Sequence, residues 1–288
     1  MAKAISLHVG INIVSPLLEG CVNDAQSMFD LPQLRKFDRR EYLFNGEATL
    51  DVVKQKISQA AADLEPGGIF VFTFAGHGSY IEDPNDPNET ELFDETLVLS
   101  DYMLIDDVLA RELWPQFAPN TRILMIADSC YSGDVLEFFR KRLERQRNKL
   151  FSLHGSRPSL TEMVFSRDRA SRTVRTIPEV SRLRHLWTNR KFYDLIYESL
   201  PEQSHINASI ILLAACSDIE TTPDGNPHGV FTQALLDVLQ GPTPPVNYDD
   251  FINQIRIKVN QGGYPETPSI ATAGQSTSAF RAERPFTV

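Results

Sequence analysis

Two residues of this 288-residue chain stand where chemistry would be placed. His77 lies in Gly76-His-Gly78, directly after the apolar run Ile69-Phe-Val-Phe-Thr-Phe-Ala75. Cys130 lies in Asp128-Ser-Cys-Tyr-Ser-Gly133, directly after Arg122-Ile-Leu-Met-Ile-Ala127. Thiolate is the nucleophilic form of cysteine, and a nearby imidazolium lowers the thiol pKa. The same imidazole can then protonate a leaving amine. The pair therefore suits acyl transfer, with Cys130 as nucleophile and His77 as acid and base. The glycines beside His77 leave an amide N–H unobstructed and let a substrate backbone come close. Taken singly, a Cys is more often a small buried hydrophobe and a His a satisfied polar residue. Their equivalent positions at two strand ends favour catalysis.

The chain also carries a decoy. Cys216 follows the apolar run Ile210-Ile-Leu-Leu-Ala-Ala215, and His228 precedes Gly229. His228 stands just before a helical pattern, which suits a cap or a loop. A tyrosine-phosphatase loop would need Arg six positions after Cys130; position 136 is Leu.

The elements that must hold these residues alternate. Strands are expected at Ile5–Val9, Glu41–Phe44, Ile69–Ala75, Thr96–Leu99, Arg122–Ala127, Ser209–Ala215 and Ile270–Ala273. Helices are expected around Cys21–Phe29, over 50–64 behind a Thr49 cap, over Asp106–Leu113, over Val230–Gln240, and through Phe251, Ile255 and Val259. Residues 82–91 read as an exposed loop. Near-continuous apolar strands between helices specify an α/β fold with a mostly parallel sheet. In such folds ligands bind beyond the carboxyl ends of the strands, where His77 and Cys130 lie.

Composition narrows the classes further. The formal net charge is −10, which argues against nucleic-acid binding through the overall field. Residues 140–191 nevertheless hold 15 of the 28 Lys and Arg and only four acidic residues. No apolar run approaches a membrane span, and residues 1–10 lack the long apolar region of a signal peptide. The three cysteines, Cys21, Cys130 and Cys216, are widely spaced and suggest neither a disulfide framework nor a CxxC metal site. A reducing cytoplasm is the expected compartment.

Several separated segments together resemble the caspase-like cysteine peptidases, and most of all the metacaspases and their prokaryotic relatives, the orthocaspases. They are Gly20-Cys-Val-Asn-Asp-Ala25, Phe72-Thr-Phe-Ala-Gly-His-Gly78, Asp94-Glu-Thr with Ile105-Asp-Asp107, Ala127-Asp-Ser-Cys-Tyr-Ser-Gly133, and Leu213-Ala-Ala-Cys-Ser-Asp218 with His228-Gly-Val-Phe-Thr232. The spacing of 53 from His77 to Cys130 matches the family's upstream His. The resemblance implies a caspase–hemoglobinase-like α/β fold, with about six mostly parallel strands flanked by helices. It implies a large-subunit-like part over 1–139, a basic linker over 140–204 that is partly flexible, and a small-subunit-like part over 205–288.

It further implies peptide-bond hydrolysis through a thioester, with His77 and Cys130 as the dyad and the amides of Gly78 and Cys130 as the oxyanion hole. No cofactor is required for that chemistry. Asp24 and Asp128 match acidic residues that bind the Arg or Lys before the cleaved bond, and Cys21 matches the same pocket wall. Without the resemblance, Asp24 reads as a surface helix carboxylate and Asp128 as a turn former. Ala75 stands where the family often has Ser. Asp94, Asp106 and Asp107, with Glu137, match a calcium cluster, although the interval from Asp94 to Asp106 is short for the family and Asp106 also suits a helix cap.

The basic segment is then either a tract of self-cleavage sites or an internal cation that occludes the acidic pocket. The plain alternative is a solvated loop or a patch for an acidic partner. Leu186, Trp187, Phe192, Tyr193, Leu195, Ile196 and Tyr197 suggest that its end packs on the fold. The expected partners are proteins or peptides with Arg or Lys before the cleaved bond, with no membrane. The alternative function is a caspase-like regulatory scaffold with little proteolysis.

Overall fold

The computed structural model describes residues 2–82, 93–130, 173–201, 204–216, 222–264 and 266–288. Residues 83–91 of the loop expected at 82–91, Glu137 and most of the basic segment lie outside them, and Glu82 ends a strand.

Six strands form the main sheet: β1 (Ala2–Gly10), β2 (Arg39–Phe44), β3 (Leu64–Ala75), β7 (Arg122–Asp128), β8 (Ser209–Ala214) and β9 (Ser269–Gly274), in the order β2-β1-β3-β7-β8-β9. All pairings are parallel except β8 with β9. A second, antiparallel sheet joins β4 (Gly78–Glu82), β5 (Phe93–Val98) and β6 (Met103–Ile105).

Side chains on a strand alternate between faces. Phe70, Phe72 and Phe74 therefore join Ile123, Met125, Ile210 and Leu212 in one apolar layer. Ile69 and Val71 join Leu124, Ile126, Ile211 and Leu213 in the other. Both faces are covered, which is why these strands read as unbroken apolar runs. Helix α2 (Leu50–Asp63) covers the first face through Val53, Ile57 and Ala60, and its N-cap Thr49 Oγ1 accepts the Val52 N–H. Met28 of α1 (Cys21–Phe29) packs on the second face. Helices α4 (Val230–Leu239), α5 (Tyr248–Gln261) and α6 (Thr277–Ala282) cover it through Phe231, Phe251 and Phe280.

One long helix, α3 (Glu179–Ser199), lies at the end of the basic segment. Asn189 leaves helical geometry inside it. That break shifts the phase of its apolar residues. Tyr193 and Tyr197 are buried, whereas Trp187 is 85% exposed and Leu195 is exposed as well. The end of the basic segment packs on the fold as expected, with Leu186, Phe192 and Ile196 joining Tyr193 and Tyr197 against the main apolar layer. The helix expected over Asp106–Leu113 is one helical turn, Asp106–Val108, followed by a π turn over Leu109–Leu113.

Candidate active site

Strands β3 and β7 are hydrogen-bonded neighbours, with Ala75 in register with Asp128. Their carboxyl ends therefore deliver His77 and Cys130 to one place. Both are almost fully buried. The two backbones are so close that a Cβ on Gly78 would lie 1.7 Å from the Cys130 carbonyl oxygen. Only glycine allows this approach.

The amides of Gly78 and Cys130 converge on one acceptor. Gly78 N–H donates to the carbonyl oxygen of Arg175 at 2.9 Å, and Cys130 N–H donates to the same oxygen at 3.3 Å. Arg175 belongs to a short extended segment. Its N–H donates to Thr222 O at 3.0 Å, while Asp224 N–H donates to Thr173 O at 2.8 Å. Val174 forms an antiparallel bridge with Pro223, and Thr176 a parallel bridge with Gly78. Residues 173–175 thus lie on the site as an added strand, the mode by which extended peptides bind.

The Arg175 side chain is fully buried among carboxylates. Its guanidinium pairs with Asp24 at 2.5 Å, Asp128 at 2.8 Å and Asp224 at 3.0 Å. Burial opposes the cation, but Asp128, Cys21, Asp24 and Asp224 outweigh that cost and hold it charged. The pocket's carboxylates are oriented in turn. Asp24 Oδ1 meets His228 Nδ1 at 2.9 Å and accepts the Gly229 N–H at 3.2 Å. Asp128 Oδ2 accepts from the Thr232 hydroxyl at 2.6 Å and the Thr232 N–H at 3.1 Å. Burial pushes the Asp128 carboxyl above its usual range, while Arg175 and Thr232 pull it down. The Cys21 thiol lines the same pocket, 3.9 Å from Asp224 Oδ1, and burial holds its pKa up.

Asp24 is not the surface carboxylate that its helical position alone suggests. Helix α1 aims it inward at the linker's arginine, 151 residues away in sequence. His228, which read as a cap or loop residue, is a partner of that carboxylate. Cys216 is a buried thiol donating to Ser129 O at 3.6 Å.

His77 Nε2 is 2.7 Å from the Pro16 carbonyl oxygen. A carbonyl only accepts, so Nε2 carries the proton and Nδ1 the lone pair. Nδ1 is buried and has no hydrogen-bond partner among the described residues. Burial lowers the imidazole pKa, which keeps the ring neutral. Cys130 Sγ accepts the Thr222 N–H at 3.2 Å, and burial followed by the neighbouring Cys216 pushes the thiol pKa far up. Among the described residues no hydrogen bond joins Sγ to His77.

The acidic residues expected to hold calcium are found on the second sheet and the turn after it. Asp94 Oδ2 accepts from the Tyr197 hydroxyl at 2.6 Å, and Asp107 Oδ2 pairs with Arg111 at 2.6 Å. Burial, then Asp94 and Asp107, push the Asp106 carboxyl well up. Among the described residues no three His, Cys, Asp or Glu are grouped to hold a metal ion. Glu137 lies outside the described residues. No described helix is long and apolar enough to cross a membrane.

Asp224, Thr222, Thr232 and Pro16 were not legible as site residues, and Arg175 was one cation among many in the basic segment. A signal for Asp224 existed: it is an acidic residue between the end of β8 and the His228-Gly229 pair.

The sequence model of the caspase domain family, peptidase C14, matches residues 5–279. Metacaspase-9 of Arabidopsis thaliana is 22% identical over 323 aligned positions, covering 98% of each chain. Metacaspase-1 of Kluyveromyces lactis is 23% identical over 92% of this chain and 65% of its own. Metacaspase-4 of Arabidopsis thaliana is 26% identical over 51% of this chain, which spans only 37% of that relative's length. A crystal structure of protein GSU0716 from Geobacter sulfurreducens superposes with a TM-score of 0.76, at 30% identity, and covers 99% of each chain.

Proposed function

Because this chain belongs to the caspase domain family, matched over residues 5–279, we propose that it is a metacaspase-like cysteine endopeptidase, restrained by its own Arg175. One observation carries the reading. The Arg175 carbonyl rests on the amides of Gly78 and Cys130 while its guanidinium fills a carboxylate pocket. That is how a peptide with a basic residue before the cleaved bond would lie.

In the proposed reaction Cys130 Sγ loses its proton to His77 Nδ1 and attacks the carbonyl carbon. The oxyanion that forms is met by two N–H groups already in place. The C–N bond breaks, the amine leaves with the proton from His77, and a thioester remains on Cys130. His77 then takes a proton from water, whose hydroxyl oxygen displaces the thiol. The resting thiol must first turn from Thr222 toward the carbonyl.

The burial of both groups supports restraint, and self-cleavage would fall at the Arg175–Thr176 bond among the described residues. The alternative is a regulatory scaffold with little proteolysis, which the raised Cys130 pKa favours. The test is hydrolysis of fluorogenic peptides ending in Arg or Asp, with mass-spectrometric mapping of self-cleavage. The endopeptidase reading expects arginine turnover and a cut after Arg175, both abolished by Cys130→Ala. No turnover, even by the Arg175→Ala chain, selects the scaffold.

A further inference from the structure

We infer that the pocket selects arginine over lysine, and that Asp224 is the residue that makes the distinction. The inference deepens the peptidase reading and rests on it.

The guanidinium presents three nitrogens, and each has a partner. Nη2 donates to Asp24 Oδ2 at 2.5 Å, and Nη1 to the Asp128 carbonyl at 3.0 Å. Asp224 takes the remaining edge. Its Oδ1 accepts from Nε at 3.2 Å and from Nη2 at 3.0 Å. That edge is what lysine lacks. A lysine side chain overlaid on Arg175 puts its last methylene where Nε–H stands and ends its ammonium where Cζ stands. A methylene donates nothing to Asp224, and the ammonium stops one bond short of both Nη positions. With Asp24, Asp128 and Asp224 all buried, the cost is a buried carboxylate with too few donors.

Asp224 cannot swing to compensate. Its Oδ2 accepts the Glu19 N–H at 2.6 Å, and Gly20 N–H lies 3.3 Å from Oδ1. Its own N–H is tied to Thr173 O. The loop sits this close because residue 20 is glycine: a Cβ there would lie 2.3 Å from Gly225 O. The slot is equally tight at the far end, where a Cβ on Gly229 would lie 2.5 Å from Arg175 Nη2. The pocket is cut to a planar fork.

The experiment uses the Arg175→Ala chain, which no longer fills its own pocket, and two fluorogenic peptides, Thr-Val-Arg and Thr-Val-Lys. Arginine is expected to exceed lysine in kcat/KM by about 100-fold or more, as for a site built to hydrogen-bond its substrate. Adding Asp224→Asn is expected to cost arginine more than lysine and to cut that ratio about tenfold. Equal turnover of the two peptides, or an unchanged ratio in the Asp224→Asn chain, overturns the inference and leaves the peptidase reading standing. Turnover of neither peptide refutes the peptidase reading instead, and melting then decides this one alone. With Cys130→Ala preventing self-cleavage, Arg175→Lys should lower Tm relative to Arg175. An unchanged Tm overturns it.

Discussion

Replacing Arg175 by alanine, in a Cys130→Ala chain that cannot cut itself, isolates what the guanidinium does for the fold. The side chain is fully buried and paired with three carboxylates at 2.5, 2.8 and 3.0 Å. The change removes the cation, and with it the side-chain anchor that holds residues 173–175 on the site. Breaking a buried ion pair from one side costs about 3–5 kcal/mol, because the remaining charge keeps its desolvation penalty. Three carboxylates would remain here, partly relieved by protonation of Asp128, whose pKa burial already raises. For a chain of this size, with an unfolding entropy of about 0.6 kcal/mol/K, such a loss lowers Tm by roughly 5–8 °C. A free amidinium compound such as benzamidine should restore part of it by binding the folded state, about 2.7 kcal/mol at a hundred times its dissociation constant. The parent chain should not respond, since its pocket is filled. Scanning calorimetry with and without benzamidine measures both effects. A Tm drop under 2 °C, or equal stabilisation of parent and variant by benzamidine, would refute the assignment of Arg175 to the pocket.

Gly78→Ala puts a methyl 1.7 Å from the Cys130 carbonyl and must move one oxyanion donor, so arginine-peptide kcat should fall about 10²–10³-fold while circular dichroism stays unchanged. Gly229→Ala invades the guanidinium slot; peptide KM should rise, and benzamidine should no longer stabilise the Arg175→Ala chain. His8, buried beside Thr73 Oγ1 at 2.8 Å, has its pKa lowered to about 3 by burial and then by Arg40. The unfolded chain takes up that proton first, so His8 stability is intact above pH 6.5 and is lost as pH falls toward 3. Between pH 6.5 and 4.5 the loss is about 2.3 kcal/mol. Denaturant unfolding of His8→Gln should lack that share of the slope, and identical pH profiles would exclude it.

What sequence reading recovers here follows from the range of the interaction. The parallel strands are legible because both faces of Phe70–Phe74 and Ile123–Ala127 are buried, which leaves an unbroken apolar signature. The ends of those strands located His77 and Cys130 in the same way. Asp24 and Asp128 came only through resemblance, since nothing local says that a helical carboxylate points inward. Asp224 joins the pocket across 204 residues from Gly20, and no periodicity records such a contact. The stretch around Arg175 looks flexible by composition because it has few large apolar residues. Its described part, Thr173–Arg175, is held by backbone pairing and one buried cation, neither of which hydropathy counts.

The placement of helix α3 has a consequence for the molecule's connectivity. The Arg175–Thr176 bond separates two differently held pieces of chain. On one side, Thr173–Arg175 are held by a three-residue strand and the arginine. On the other, Ile177 enters the main apolar layer, Arg182 lies 4.1 Å over the Tyr80 ring, and the Tyr193 hydroxyl accepts the Met103 N–H at 2.9 Å. Farther along, β8 sits inside the sheet between β7 and β9. A nick at this bond would yield two polypeptides on a denaturing gel and one particle on a sizing column. The freed Arg175 carboxylate would stay in the pocket as a tethered product, joined to Cys130 by the intervening chain. Severing one bond would alter covalent topology without emptying the pocket, and a further cut upstream of Thr173 would be needed to release the plug.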